Sequence, residues 1–272
     1  MTRPKHQHYR TGLPMNAVSP LPASPVASPV RKLITSSVAS SRAQSSGAPG
    51  DTLYATLLSP ERRARVDAVV DARLWSVTGV LEELHDPHNM AAVVRTAEGL
   101  GLASLHLVEG PDTPWRPHRK VTQDAHKWLD LQRDPDVEKC VAALRGAGFR
   151  VFAGALDARA IELAEVPVDR PVALLFGNEH RGVSARARDA CDGAFHVRMH
   201  GMAQSLNVSV AAGIALEHVA RARRRHLGAD GDLPPDVREA LRERFYRLAV
   251  KQSRRVALAL ANKAGSTEVE GP

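Results

Sequence analysis

Three stretches of the chain contain side chains that could bind or activate a substrate. The first, Asp86–Thr96, contains Asn89 and Arg95, six residues apart. On a helix this spacing separates the side chains by about 120°, so they do not share one face. Both could still reach a pocket at the start of the helix, where arginine would offer a planar fork to a phosphodiester. The simpler alternative is that Asn89 caps the helix and Arg95 is solvated.

The second stretch, Phe176–Ser184, reads FGNEHRGVS and follows an apolar strand. A strand that runs directly into Gly-Asn-Glu places backbone groups at the carboxyl edge of a sheet, where α/β folds bind ligands. Gly177 would let a ligand approach the chain closely, and Glu179 could orient a backbone group or a ribose. The alternative is an ordinary turn with Glu179 facing solvent.

The third stretch, Val197–Glu217, places Ser205, Asn207 and Ser209 at the start of a helix rich in alanine and glycine. Small residues let a helix pack closely against the sheet or against a second subunit. A buried core helix capped by serine would explain these small residues. It would not explain the polar run that precedes them.

Several other kinds of site are not indicated. No GxGxxG follows a strand, and the chain contains neither a GxxxxGK[ST] nor a GxSxG motif. The groups His85/His88 and Cys191/His196/His200 suggest metal ligands, but twelve histidines make chance spacings common. We therefore expect no metal site. The two cysteines are far apart and in no CxxC pairing, so we expect no disulfide.

The elements that position these stretches alternate between strands and helices from about residue 51. Ser59 before Pro60 and Asp86 before Pro87 are typical helix starts. The alternation predicts an α/β fold with a mainly parallel sheet and helices on both faces. The predicted elements are helix 58–74, strand 76–84, helix 85–101, strand 104–110, helix 136–148, strand 149–156, strand 172–177, helix 184–191, strand 194–199, a helix from near Ser205 to 225, and a helical appendage over 234–260.

Composition divides the chain into three parts. Residues 1–50 are rich in Ser, Pro and Ala and hold six basic and no acidic residues, so most of the net charge of +7 lies there. We expect a disordered leader, which could also be a transit peptide or an over-extended translation start. Residues 51–225 are predicted to form the enzyme domain and 226–272 a C-terminal helical extension. No run of about 18 apolar residues occurs, so we expect no membrane span.

The three stretches, taken in order, resemble the signature motifs of the SpoU branch of the SPOUT RNA methyltransferases. The matches are HNMAAVVRTA, LLFGNEHRGVS and MHGMAQSLNVSVAAGIALE, within a resemblance that covers residues 58–225. Within that branch the chain is most similar to the TrmH group, which methylates the ribose 2′-hydroxyl of guanosine-18 in tRNA. The resemblance implies a deep trefoil knot in the C-terminal part of the fold, an obligate homodimer and a cytoplasmic location.

The resemblance also implies S-adenosylmethionine as methyl donor, with no metal. The positions that match catalytic and structural residues of the family are Arg95, Asn89, Glu179, Ser205 and Asn207. Those that match cofactor contacts are Gly154, Gly177, Val197 and Leu206, where Gly154 and Val197 replace residues that are often Thr and Ile. Arg95 would lie near the tRNA phosphate, as the activator of the 2′-hydroxyl or as a positioning group.

RNA contacts are expected from two helices. Arg65 matches an arginine of the family's first helix, and Arg221, Arg223, Arg224 and Arg225 end the long C-terminal helix, where they would also complement the helix dipole. Two alternatives stay open. The same reaction could act on rRNA, although such relatives usually carry an added N-terminal RNA-binding domain. A non-catalytic RNA-binding dimer is disfavoured because the catalytic positions are all present.

Overall fold

The computed structural model describes residues 51–110 and 122–250 of the 272-residue chain. Both the predicted leader, 1–50, and the last part of the predicted C-terminal extension, 251–272, lie outside the described residues. The helices are α1 Asp51–Thr56, α2 Pro60–Asp71, α3 Pro87–Gly99, α4 Val137–Gly146, α5 Ala185–Ala190, α6 Val208–Leu227 and α7 Pro235–Ala249. The strands are β1 Val77–Glu82, β2 Ser104–Val108, β3 Asp130–Asp134, β4 Arg150–Gly154, β5 Ile161–Glu162, β6 Val172–Phe176 and β7 Gly193–His196.

The strands form one seven-stranded sheet in the order β3-β2-β1-β6-β4-β7-β5. Each neighbouring pair is parallel, which confirms the predicted α/β class. The carboxyl ends of all seven strands therefore lie at the same edge. The knotted crossing stays a prediction.

Helices cover both faces of the sheet, as predicted. On one face the core joins α3 and α6 to the alternating side chains Leu174 and Phe176 of β6. On the other face it joins α4 and α5 to Ala173 and Leu175 of the same strand. All five residues of β6 are buried, because a central parallel strand is covered on both sides.

Side-chain caps start the helices where the sequence indicates. The hydroxyl of Ser59 accepts a hydrogen bond from the amide of Arg62 at 3.3 Å, and the carboxylate of Asp86 accepts one from His88 at 2.8 Å. The predicted start of α6 near Ser205 is wrong by about a turn. The helix begins at Val208, because the side chain of Asn207 accepts the first free amide, that of Ser209, at 2.8 Å.

The C-terminal helix is not an isolated appendage. Helix α7 packs on α1 and α2 around an apolar cluster that includes Val70, Leu241 and Phe245. The indole of Trp128 meets the ring of Phe245 edge to face, with centroids 4.9 Å apart. The two ends of the described chain thus form one helical layer beside the sheet.

Two strands were missing from the sequence prediction. Strand β3, Asp130–Asp134, has the polar sequence DLQRD and lies at the sheet edge beside β2. Strand β5 has only two residues. Backbone pairing defines both strands, and neither has the apolar run that identifies a buried strand. Within the described residues, no helix combines the length and the apolar character needed to cross a bilayer.

Candidate active site

A cavity of about 560 Å³ opens at the carboxyl edge of β4, β6 and β7 and is named the cofactor cavity because the predicted cofactor contacts line it. Its walls come from the loop after each of these strands and from the start of α6. Seven of the predicted site residues line it: Gly154, Gly177, Glu179, Val197, Ser205, Leu206 and Asn207. The second and third motifs, which lie apart in the sequence, therefore meet in one place.

Gly177 is required by the fold of its own loop. A Cβ atom on Gly177 would lie 2.3 Å from the backbone of Gly182 and Val183, a distance that only movement of the loop could relieve. Gly182 itself turns the chain back with a φ of +68°. Gly177 was expected to make room for a ligand, but the space beside it is filled by the returning chain.

A chain of hydrogen bonds joins all three motifs. The carboxylate of Glu179 accepts hydrogen bonds from the side chain of Asn89 at 2.9 Å and from the amides of His85 and Asp86 at 2.9 and 3.2 Å. The side-chain oxygen of Asn89 in turn accepts a hydrogen bond from the side-chain amide nitrogen of Asn207 at 3.0 Å. Asn89, which is buried, thereby fixes the position of Asn207 at the cavity wall.

These contacts keep Glu179 ionised. Partial burial acts to raise its pKa, but the hydrogen bonds from Asn89 and the two backbone amides together hold the pKa below its ordinary value. A carboxylate is the form that can accept all three donors. Glu179 is therefore a structural anion that ties the second motif to the first, and it does not face solvent in an ordinary turn.

The loop that follows β6 is also anchored to the end of β1. The side chain of Asn178 donates to the carbonyl of Glu83 at 2.7 Å, and Glu83 has a φ of +49°. The carboxylate of Glu82, which is buried, accepts a hydrogen bond from the hydroxyl of Ser184 at 2.6 Å and another from the backbone amide of Ser184 at 3.0 Å. Nothing in the sequence indicates the roles of Asn178, Glu82 and Glu83, because two adjacent glutamates at the end of a strand are expected to face solvent.

Arg95 does not line the cofactor cavity. It is exposed and lines a second cavity of about 410 Å³, here called the arginine cavity, together with Arg62, Arg65, Trp128 and Phe245. The expectation that Asn89 and Arg95 reach one pocket is wrong for this chain taken alone. Asn89 is buried and bonds to Glu179 and Asn207 in the cavity wall, whereas Arg95, about 120° away around the helix, faces the arginine cavity.

The arginines at the end of α6 divide into two kinds. Arg221 and Arg225 are exposed, as an RNA contact requires. Arg223 is only 7% exposed and donates to the hydroxyl of Ser76 at 3.0 Å and the carbonyl of Val168 at 2.7 Å. The predicted RNA contact of Arg223 is therefore wrong, since its guanidinium holds the core together.

Arg224 also has a structural role. Its guanidinium donates to the carbonyls of Leu100 at 2.8 Å, Asp230 at 2.7 Å and Ala72 at 3.3 Å. These bonds tie α6 to the ends of α2 and α3. Because its Nε and Nη2 donors are already used in these contacts, the predicted RNA contact of Arg224 is not supported by this geometry.

Among the histidines, cysteines and acidic residues that the structure describes, one group of three could hold a metal ion: His106, Asp134 and Cys140. Neither histidine group suggested by the sequence is among them. The imidazole of His106 lies 2.9 Å from the carboxylate of Asp134, and burial raises the pKa of the Cys140 thiol. A protonated thiol beside a paired histidine is a hydrogen-bonded core cluster.

Comparison with known proteins agrees with this geometry. The profile of the SpoU rRNA Methylase family matches residues 76–217. The chain is 39% identical over 162 residues to the tRNA (guanosine(18)-2′-O)-methyltransferase of Thermus thermophilus, covering 60% of this chain and 83% of the relative.

Two solved structures have the same architecture. The A. aeolicus TrmH/SpoU tRNA modifying enzyme superposes with a TM-score of 0.63 at 27% identity, over 70% of this chain and 98% of that one. The AdoMet-bound rRNA methyltransferase from Sinorhizobium meliloti gives a TM-score of 0.50 at 27% identity, over 56% of each chain. Because the matched segment spans more than half of the sequence and includes both the β6 loop and the start of α6, the chain belongs to the SpoU rRNA methylase family.

Proposed function

We propose that this protein uses S-adenosylmethionine to methylate the ribose 2′-hydroxyl of guanosine-18 in tRNA. The relative from Thermus thermophilus, named for that reaction, supports the choice of nucleotide. The fold of the tRNA modifying enzyme from A. aeolicus supports tRNA as the substrate class. Such a substrate would place the protein in the cytoplasm.

One observation carries the proposal. Four residues assigned to the cofactor, Gly154, Gly177, Val197 and Leu206, line one cavity together with three assigned to catalysis, Glu179, Ser205 and Asn207. They come from the end of β4 and from the segments that follow β6 and β7, three strands that lie side by side in the sheet. A fold that merely bound RNA would have no need for this convergence.

The cavity suits S-adenosylmethionine. A volume of about 560 Å³ lies in the range of sites for ligands of this size. Gly154 offers a bare backbone at the strand end, where a Cβ would already lie 3.3 Å from the ring of Phe195. The cofactor supplies a methyl group on a sulfonium, which is its own leaving group, so the chain has to provide orientation and a route for one proton.

Ser205 is the polar group best placed to meet the substrate hydroxyl. The side chain of Asn207 is occupied, since it donates to Asn89 and accepts from Ser209. Ser205 lines the same cavity and is exposed. We infer that Ser205 hydrogen-bonds the ribose hydroxyl, while Asn89, Glu179 and Asn207 hold the wall that positions it.

In this proposal Arg95 reaches the reacting hydroxyl in the cofactor cavity of a second copy of the chain. Within one copy it lies in the arginine cavity with Arg65, a suitable surface for a phosphodiester. Helix α6, which begins at the cofactor cavity, exposes Val210 and Ile214 at 49% and 42%. An apolar face beside an incomplete site supports a homodimer in which each cofactor cavity receives Arg95 from the other copy.

The test of the reaction is to incubate the purified protein with labelled S-adenosylmethionine and either total tRNA or rRNA. We expect label in tRNA, and mass spectrometry should place the methyl group on the 2′-oxygen of guanosine-18. Label only in rRNA would contradict the proposal that tRNA is the substrate. RNA binding without any methyl transfer would instead support the alternative of a non-catalytic RNA-binding dimer.

The test of the shared site mixes two inactive variants, Arg95→Ala and Leu206→Asp. Half of the dimers formed on mixing carry one chain of each kind and therefore one intact site, so roughly a quarter of wild-type activity should return. Sedimentation would check the dimer directly. No recovery on mixing, with dimers present, would contradict the shared site.

A further inference from the structure

Arg188 is a basic residue of the cofactor cavity to which the sequence analysis assigned no role. It lies on the short helix α5, directly after Ala187, which is fully buried. Successive helical residues are about 100° apart, so Arg186 and Arg188 flank the buried face on opposite sides. Arg186 pairs with Asp136 and Glu138 of the neighbouring segment, whereas Arg188 lines the cofactor cavity.

The other charged groups of the cavity wall already have partners. The carboxylate of Glu179 accepts three hydrogen bonds. Arg181 forms an ion pair with Glu83 at 2.6 Å. Arg188 is exposed, and among residues 51–110 and 122–250 its guanidinium has no ion-pair partner. It is thus the arginine of this cavity that is available to a bound anion.

We propose that Arg188 binds the carboxylate of the methionine part of S-adenosylmethionine, an inference that rests on the proposed function. The carboxylate is the single anionic group of that molecule, and a guanidinium matches it with two parallel hydrogen bonds. A phosphate of the RNA has similar chemistry. The carboxylate is favoured because Arg188 shares its cavity with Gly154 and Leu206, while arginines available to a polyanion line the arginine cavity.

The test measures dissociation constants by calorimetry for S-adenosylmethionine and for 5′-methylthioadenosine, which lacks the amino-acid part. Arg188→Gln should raise the dissociation constant of S-adenosylmethionine about tenfold, which corresponds to a loss of about 1.4 kcal/mol of binding free energy. The same substitution should change the dissociation constant of 5′-methylthioadenosine by less than about twofold. Arg188→Lys, which keeps the charge, should recover part of the loss.

Arg186→Gln is the matched control, because it removes the same guanidinium from the same helix on the side away from the cavity. It should change neither constant. Equal weakening of both ligands by Arg188→Gln would overturn the proposal, since it would indicate damage to the cavity. Unchanged S-adenosylmethionine binding with weaker tRNA binding would overturn it in favour of a phosphate contact.

These outcomes separate the two proposals. If the wild-type protein does not bind S-adenosylmethionine, both the proposed function and the role of Arg188 fail. If the wild-type protein binds it and methylates tRNA while Arg188→Gln binds it equally well, only the role of Arg188 fails.

Discussion

The cofactor cavity and the arginine cavity differ in how they are built. The first is formed by loops whose shape depends on glycines and on side chains that bond to backbone, as at Gly177, Glu179 and Asn207. The second is formed by helix faces that present Arg65 and Arg95 beside an aromatic pair. Shape selects a small molecule, and charge on a rigid surface selects a polyanion. Substitutions in the two cavities should therefore affect different measurements.

Gly177→Ala should have the largest effect, and on the cofactor cavity alone. The added methyl would lie 2.3 Å from backbone atoms of Gly182, so the loop must move. We expect roughly a 100-fold or greater loss of S-adenosylmethionine affinity, beyond about 2.7 kcal/mol, measured by calorimetry. Gly201→Ala is the control, because no described residue other than its chain neighbours has an atom within 4 Å of the position of its Cβ. Near-normal binding by Gly177→Ala would contradict the loop geometry.

Arg95→Ala should damage the other cavity. We expect methylation of tRNA to fall roughly 100-fold or more, as for loss of a group that stabilises charge during reaction, while the dissociation constant of S-adenosylmethionine stays within about twofold. Single-turnover assays and calorimetry would measure the two effects. Loss of cofactor affinity would show that the cavities are not independent.

Arg223→Ala and Arg225→Ala compare a buried with an exposed arginine two residues apart. Removing Arg223 leaves Ser76 and the carbonyl of Val168 without their partner, so the free energy of unfolding should fall by about 3 kcal/mol. Arg225→Ala should change it by less than about 0.5 kcal/mol and instead weaken tRNA binding with a shallower salt dependence. Chemical denaturation and binding at several salt concentrations would distinguish them.

Glu179→Gln should have the smallest effect, and one that depends on pH. The pKa of Glu179 is lowered in the folded protein, so its stabilising contribution is present above the unfolded pKa and is lost as the pH falls through the folded pKa. At pH 7 the variant should be less stable by about 1–2 kcal/mol. Denaturation at pH 7 and at about pH 3 should give a difference that shrinks in acid. A constant difference would mean that the carboxylate charge does not matter.

Much of the fold follows from local sequence signals. Ser59 and Asp86 cap the helices that they were expected to cap, and the apolar strand before Gly177 is buried on both faces. These signals are local because a cap or a buried run needs only its neighbours in sequence. Strand β3 could not be found in this way, since most of its residues are polar and the backbone pairing with β2 that defines it leaves no local signal.

The convergence of the predicted cofactor residues could be expected from the sequence, whereas the positions of the arginines could not. The family resemblance pointed to Gly154, Gly177 and Leu206, and the structure brings them to one cavity, where their contact with a cofactor stays a prediction. Whether an arginine faces solvent depends on what packs over it, and a run such as Arg221–Arg225 gives no sign that Arg223 is enclosed. Arg188 was missed for a similar reason, since its availability depends on which acids its neighbours have already paired with.

The docking of α7 against α1 and α2 has a consequence for synthesis. Phe245, near the end of the described chain, lines the arginine cavity beside Arg62 and Arg65. A nascent chain that has emerged only as far as α6 already contains every loop of the cofactor cavity, yet one wall of the other cavity is still inside the ribosome. The capacity to hold a methyl donor would then precede the capacity to hold RNA.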